Sequence, residues 1–424
     1  MKIILFSYWY KPENKTSVNR ARYFRKYLSS FGWDVNLFYY RKQGTKTNAR
    51  KKTFALQGRS SFMQKLGMAF SRKQNHFFFK LIYFFYFLFH KRDIYDFYRI
   101  FRSNETKGEL IVQKNDIIIT SAPPYSVFNI GFYLKNKFGA SWVLDYRDPW
   151  TLAYPPISSG NLINRLRKLL HRNTELRFLN SADLVITVSQ SLKDSFPEKY
   201  QSKVFVVENG ANMDEMDFSK INGRPDHFSI VYSGTIYDQQ MEDVSFFKML
   251  ARFVRVKHIQ PASFKVYFIG SDGNSRLRDV IHQYHLDDYV HITERVSLDK
   301  LYGYMYEASM FLHLRYSNRS EIITSKQYDY LALQKPILLP VSDEGDIAES
   351  IRRHKAGFVC NSEDEIYDVL EMQWQAYLDG RDVRLYRRKE ELYRISRQYQ
   401  VERLNQILRE KLPNKFNLEL TTIY

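Results

Sequence analysis

Residues 321–336 read E-I-I-T-S-K-Q-Y-D-Y-L-A-L-Q-K-P. The order is a polar loop, a helix start at Thr324 or Ser325, about three turns of helix carrying Tyr328, Leu331 and Ala332, and then a buried strand from Pro336 to Val341. A Thr or Ser in the first turn is expected to satisfy free backbone amides. The amides left open there, with the helix dipole behind them, favour an anion. A phosphate suits such a site, and Lys326 rides on its start. Asp329 follows Ser325 by four residues and so projects from the same helical face, while Glu321 lies one loop earlier at the same end. Two carboxylates thus flank a phosphate site.

Working outward, short apolar runs alternate with helical patterns along most of the chain. In the first half the strand candidates are Lys2 to Phe6, Val35 to Tyr39, Asp116 to Thr120, Trp142 to Asp145, Leu184 to Val188 and Val204 to Val207. In the second they are Phe228 to Tyr232, Phe264 to Ile269, Val290 to Thr293, Met310 to Leu314, Ile337 to Val341 and Phe358 to Cys360. Near-continuous apolar strands separated by amphipathic helices such as Ser17 to Phe31 and Ser126 to Lys137 predict parallel sheets covered on both faces. The fold class is therefore α/β, with two Rossmann-like doubly wound domains facing across a cleft, and 424 residues are enough for both cores. Gly32 closes the first helix, where a left-handed residue is wanted. Neither half carries a G-x-G-x-x-G after its first strand, which argues against a nicotinamide oxidoreductase. The polar stretch Asp214 to Asp226, with Gly223 and Pro225, suits a hinge.

The net charge is +18, but residues 41–102 hold fifteen Lys or Arg against Asp93 and Asp96, so +13 of it sits in one segment. That segment shows no zinc, RNP-like or helix-turn-helix pattern, and a nucleic-acid partner is not expected. It contains F-F-F-K-L-I-Y-F-F-Y-F-L-F at 77–89. Such a run is shorter than the roughly 20 apolar residues needed to span a bilayer, yet with Arg72, Lys73, Lys91 and Arg92 around it the run suits the interface of an anionic membrane. A pair of core helices with basic ends is the competing reading. A single cysteine, Cys360, excludes an internal disulfide and fits a reducing compartment. The run Ile3 to Phe6 is too short for a signal peptide and reads as a buried strand.

The spacing of Glu321, seven intervening residues and Asp329, followed by D-Y-L-A-L-Q-K-P, resembles the paired-acid motif of family-four retaining glycosyltransferases of the two-domain GT-B type. The opening P-E-N loop with F-G-W-D-V, the run V-E-N-G-A-N from Val207, and V-Y-S-G-T-I-Y from Val231 resemble the same family. The resemblance implies that Glu321 faces the donor sugar and Asp329 holds the ribose. Ser233, Gly234 and Thr235 form the loop on the donor's phosphates, with Arg295, Val296, Thr324, Ser325 and Lys326 completing the donor site. Glu13 and Asn14 border the acceptor. Arg147, Asp148 and Trp150, at the carboxyl end of a strand, suit a sugar through charge-assisted hydrogen bonds and ring stacking, with a structural Asp and Arg pair that locks a loop as the competing reading. Asp148 joins Glu321 as the catalytic carboxylate of the first domain, where many members carry a histidine. Residues 1–212 are then the acceptor domain with a basic aromatic insertion at about 41–110, residues 213–385 the donor domain, and residues 386–424 a helix and tail whose helix, Tyr386 to Leu412, returns to the first domain.

Two departures stand out. Asp329 replaces the more usual Glu, and Thr235 with Asp238, Gln239 and Gln240 replaces an Arg and a later Lys. Phosphate charge must be met by Lys326, Arg295, Arg315 or Arg319. The implied partners are a nucleotide diphosphate sugar, a glycan acceptor carried on a polyprenyl diphosphate, and the anionic cytoplasmic face of the cell membrane. Neither a metal nor another cofactor is expected.

Overall fold

The computed structural model describes residues 2–8, 16–42, 53–58, 98, 101–102, 110–152, 162–221, 225–317, 319–381 and 383–412. The chain divides into two compact units, one running to Glu208 and taking back the chain from Val401, the other Asn209–Gln400.

In the first unit the strands are β1 (Lys2–Ser7), β2 (Asp34–Lys42), β3 (Thr53–Gly58), β4 (Ile117–Ala122), β5 (Ser141–Tyr146), β6 (Leu184–Thr187) and β7 (Val204–Val206). Among the described residues they form one parallel sheet in the order β3-β2-β1-β4-β5-β6-β7. Side chains alternate between its faces. Ile4, Phe6, Ile118, Trp142 and Leu144 face one core, which takes Phe128, Ile130 and Leu134 from helix Phe128–Phe138 and Phe178 from helix Leu162–Ser181. Ile3, Leu5, Ile117, Ile119 and Val143 face the other, covered by Phe24 and Leu28 of helix Thr16–Ser30 and by Val401, Leu404 and Leu408 of helix Arg397–Lys411. Burial on both faces is why β4 and β5 have no exposed position and read as unbroken runs. At Gly131 a Cβ would lie 1.9 Å from Trp142 Nε1, so only glycine lets that helix approach the strand.

In the second unit β8 (Phe228–Ser233), β9 (Phe264–Ile269), β10 (Val290–Thr293), β11 (Met310–Leu312), β12 (Ile337–Leu339) and β13 (Gly357–Val359) pair in parallel in the order β10-β9-β8-β11-β12-β13. This is the doubly wound arrangement, with its topological switch point between β8 and β11. Helices Ser245–Val256, Ser275–Gln283 and Glu363–Leu378 pack on the face holding Phe228, Ile230 and Val266. Helices Leu298–Tyr306, Ser325–Leu333 and Asp346–Arg353 cover Val231, Phe311 and Ile337.

Both sheets are doubly wound as the alternation predicts, and the twelve expected strands lie within a few residues of their places. The thirteenth, β3, falls inside the basic segment. Two boundaries differ. Residues 209–212 belong to the second unit, where Asn212 N donates to Asp329 Oδ1 at 3.0 Å and Ala211 enters the core. Residues 386–400 also stay there: Arg387 donates to the carbonyls of Leu331 and His354, and Ala211 pairs with Ser396. The run at 77–89, the loop with Glu13 and Asn14, and Gly223 lie outside the described residues.

Candidate functional site

The site is built at the switch point of the second sheet. Beyond the end of β8, Gly234 takes φ +109, a conformation closed to other residues without strain, and its amide donates to Ile269 O at 2.8 Å. Ser271 Oγ donates to Gly234 O at 2.7 Å and fixes the loop from the β9 side. Helix Ser325–Leu333 aims its N-terminus at this loop: a Cβ on Gly234 would lie 3.5 Å from Lys326 Nζ. One turn on, the Tyr330 hydroxyl accepts from Ser233 N at 2.8 Å and lies 3.1 Å from Ser233 Oγ, bolting the helix to the strand end.

The sequence led us to expect Thr324 or Ser325 to cap this helix. Thr324 is the N-cap residue, extended at φ −100 and ψ 165, but its side chain makes no cap hydrogen bond. Its Oγ1 is buried with no partner among the described residues. Gln327 N turns back to Thr324 O at 3.2 Å, which leaves the Ser325 and Lys326 amides open with an unused hydroxyl beside them. Lys326 is stranded in the same way. Its Nζ is buried without a hydrogen-bond partner and sits 3.8 Å from the centroid of the Tyr232 ring. A desolvated cation on a ring gains about 2 kcal/mol, whereas desolvating an ammonium costs several. The cost wins, and burial pushes the Lys326 ammonium down from 10.5 to about 7. His313, just past β11, has both ring nitrogens buried and unpartnered, and burial with the nearby Lys326 charge pushes it down to about 3. An anion at the helix start would answer Thr324 Oγ1, the open amides and Lys326 together.

The two acids flank this point in different ways. Arg319 donates through Nε and Nη2 to Glu321 Oε1, both at 2.7 Å, so Glu321 is held with one oxygen occupied. Asp329 spends Oδ1 on the Asn212 amide, and burial raises its pKa while Arg397 opposes the rise. Arg295 lies along Gly270 and donates to Thr235 Oγ1 at 3.0 Å, which places a cation beside the loop that lacks the family's Arg. Val296 is half-buried against the core. Arg315, one of the cations considered for the phosphates, is instead committed to Asp243 at 3.2 Å and Ser342 O at 3.3 Å, in a small polar pocket with Gln239, Gln240 and Glu242. Sequence reading missed His313, Tyr232 and Tyr330. Only Tyr330 left a signal, since it follows Lys326 by four residues on one helical face.

In the first unit the residues expected to meet a sugar are largely spoken for. Arg147 donates through Nε to Ala122 O and through Nη2 to Pro123 O, both at 2.8 Å, and so locks the turn after β4. Trp150 is not an open shelf: its ring stacks on Tyr125 at 4.4 Å and 4°, and lies near-parallel to Phe178 at 6.4 Å. Asp148 is exposed, its carbonyl accepting from the Tyr125 hydroxyl at 2.9 Å. The structural acid is Asp145, fully buried, which accepts from Arg20 Nε at 2.9 and 3.0 Å and from Ser121 Oγ at 2.6 Å. Glu175 accepts from the amides of Thr151 and Leu152, from Thr151 Oγ1 and from Tyr146, and burial pushes it up to about 7. Among the described residues no group of three or more His, Cys, Asp or Glu is placed to hold a metal ion.

Two Rossmann-like units of this order define the GT-B fold, and solved structures share it along nearly the whole chain. Sucrose-phosphate synthase from Thermosynechococcus elongatus superposes with a TM-score of 0.62 at 13% identity, covering 97% of this chain and 99% of that one. An alpha,alpha-trehalose-phosphate synthase (UDP-forming) from Burkholderia vietnamiensis gives 0.62 at 11% identity, covering 97% and 100%. UDP-GlcNAc 2-epimerase from Methanocaldococcus jannaschii gives 0.51 at 10%, covering 96% and 99%. No family model and no curated protein matches the sequence. At these identities the likeness is one of fold.

The buried Lys326 makes a stability prediction. Its native pKa of about 7 lies below the unfolded value of 10.5, so between those pH values the unfolded chain keeps a proton that the native state has released. Stability therefore rises with pH across that window, and the full cost of the buried charge is felt below about pH 7. Lys326→Met should stabilise the protein by about 2 to 4 kcal/mol at or below neutral pH, with the gain shrinking toward pH 10.5. Denaturant melts across pH check this, and a loss of stability at every pH would contradict it.

Proposed function

We propose that the protein is a retaining glycosyltransferase that moves a sugar from a nucleotide diphosphate sugar to a hydroxyl of a glycan acceptor. The observation that carries this reading is the set of unsatisfied donors around the start of helix Ser325–Leu333: open amides, Thr324 Oγ1 and Lys326 Nζ beside Gly234. One helix start thus gathers three kinds of unsatisfied donor beside the Gly234 loop, which is what a diphosphate needs. The fold is shared by transferases and by an epimerase. The choice of transfer rests on the Glu321 and Asp329 pair and its resemblance to family-four enzymes.

In this mechanism the bond from the sugar's anomeric carbon to the leaving phosphate oxygen breaks, and a bond to the acceptor oxygen forms on the same face. The acceptor's proton passes to the leaving phosphate. Preorganised amides and Lys326 stabilise the charge growing on the diphosphate, the kind of contribution that dominates many enzymes. Glu321 supports positive charge on the sugar ring through the oxygen that Arg319 leaves free, and Asp329 Oδ2 takes a ribose hydroxyl. Asp148 stands as the first unit's carboxylate toward the reacting sugar, Glu13 and Asn14 as acceptor contacts. No metal enters this scheme.

Glu321→Gln should cut transfer by roughly 10²- to 10³-fold while leaving nucleoside diphosphate affinity in place. Asp329→Asn, which keeps an oxygen for the Asn212 amide, should weaken the nucleotide by about 1.5 to 3 kcal/mol. Calorimetry and a transfer assay on both variants check the pair, and full turnover in Glu321→Gln would remove that residue from the mechanism.

The acceptor in this reading is carried on a polyprenyl diphosphate at the cytoplasmic face of a membrane, in surface-polysaccharide synthesis. No helix among the described residues is long and apolar enough to cross a bilayer. The basic, aromatic segment around residues 77–89 supports docking on an anionic surface instead. The protein should sediment with anionic vesicles at low salt, release at high salt, and lose both binding and transfer to a lipid-linked acceptor when Lys73, Lys91 and Arg92 become Glu. Wild-type protein that stays in the supernatant at low salt would sink the membrane claim.

A further inference from the structure

We infer that donor binding at this site is coupled to the uptake of up to one proton by Lys326, so that the free site holds this charge only weakly and is fully charged once the diphosphate arrives. The inference rests on the donor-site reading above. Its basis is what surrounds the ammonium. From β8 it meets the face of Tyr232. From the chain past β11 it is approached by His313, whose two nitrogens have no partner. On its own helix Tyr330 lies one turn away, its hydroxyl spent on Ser233. On the Gly234 loop itself the cation Arg295 is held on Thr235 Oγ1.

Neither flanking acid is turned to Lys326. Glu321 is paired with Arg319, and Asp329 holds the Asn212 amide. Among the described residues no hydrogen bond or ion pair reaches Nζ. An ammonium with only a ring and a neutral imidazole for company has little to offset its lost hydration, and burial lowers its pKa to about 7. His313 cannot take over as the acceptor of the proton, because it is depressed further still, to about 3. A diphosphate supplies two negative charges against Lys326, which restores the ammonium as the favoured form.

The test is calorimetry of UDP-glucose, GDP-mannose, ADP-glucose and dTDP-glucose in buffers of different ionisation enthalpy, across about pH 5.5 to 8.5. Each phosphate of such sugars carries one ester and one anhydride linkage, so its single strongly acidic oxygen does not titrate in that range. The sugar nucleotide that binds should take up almost no proton at the acid end, about half a proton near pH 7 and close to one at the alkaline end. Its affinity should fall by up to tenfold per pH unit above neutrality. Lys326→Arg, which stays charged, should bind with no uptake and a flat pH profile. Binding by the wild-type protein with no proton uptake at any pH overturns the coupling while leaving the donor site standing. Failure of all four sugar nucleotides to bind overturns both.

Discussion

An ammonium buried against a tyrosine ring with no hydrogen-bond partner is a costly arrangement, and the reading of the candidate site turns on it. Lys326 Nζ lies over Tyr232, beside the unpartnered His313, where an apolar residue of similar length would be cheaper. Helix Ser325–Leu333 brings it there and cannot easily relax. Tyr330 ties the helix to Ser233, Gln327 Nε2 donates to Ser350 Oγ at 3.1 Å, and Phe311 stacks on Tyr330 at 4.2 Å. A cost held in place by this much surrounding structure points to a ligand that repays it, and open amides at the same spot give that ligand its sign.

The first unit solves its own buried charge differently. Arg20 is enclosed, but it meets Asp145 with two nitrogens and gives its remaining donors to the Tyr23 hydroxyl and the carbonyls of Val207 and Glu208. Asp145 holds Ser121 in turn. Helix Thr16–Ser30, the ends of β4 and β5 and the chain leaving β7 are fastened at one point, and nothing there is left for a ligand. The contrast between a satisfied pair and an unsatisfied lysine is what separates framework from site in this protein.

Most of the framework was legible in the sequence because parallel strands buried on both faces must be apolar along their whole length, as in Ile117–Ala122 and Phe228–Ser233. The strand Thr53–Gly58 was not, since its short run sits among lysines and arginines and carries no clean alternation. The candidate phosphate site was legible in part: Thr324 and Lys326 stand at a helix start that favours an anion, and Gly234 in a loop whose resemblance to the family implies a phosphate. His313 was invisible, because one histidine at the end of an apolar strand reads as core until its empty nitrogens are seen. The helix start was legible but its chemistry was misjudged, since whether a Thr hydroxyl caps or stays free depends on a rotamer. The same limit applies to Arg147 and Trp150. Their types suit a sugar, but the turn after β4 and the Tyr125 ring claim them, and those partners lie more than twenty residues away in sequence.

The central claim is that the unsatisfied group around Thr324, Lys326 and Gly234 is a diphosphate site in a nucleotide-binding unit. Melting temperature with UDP, GDP, ADP and dTDP, each set against its own nucleoside, tests it most directly, because a ligand that binds only the folded state raises the melting point by mass action. The account predicts that one nucleoside diphosphate raises it clearly and that the matching nucleoside, at the same concentration, raises it far less. Equal shifts for diphosphate and nucleoside, or no shift with any diphosphate, would contradict it.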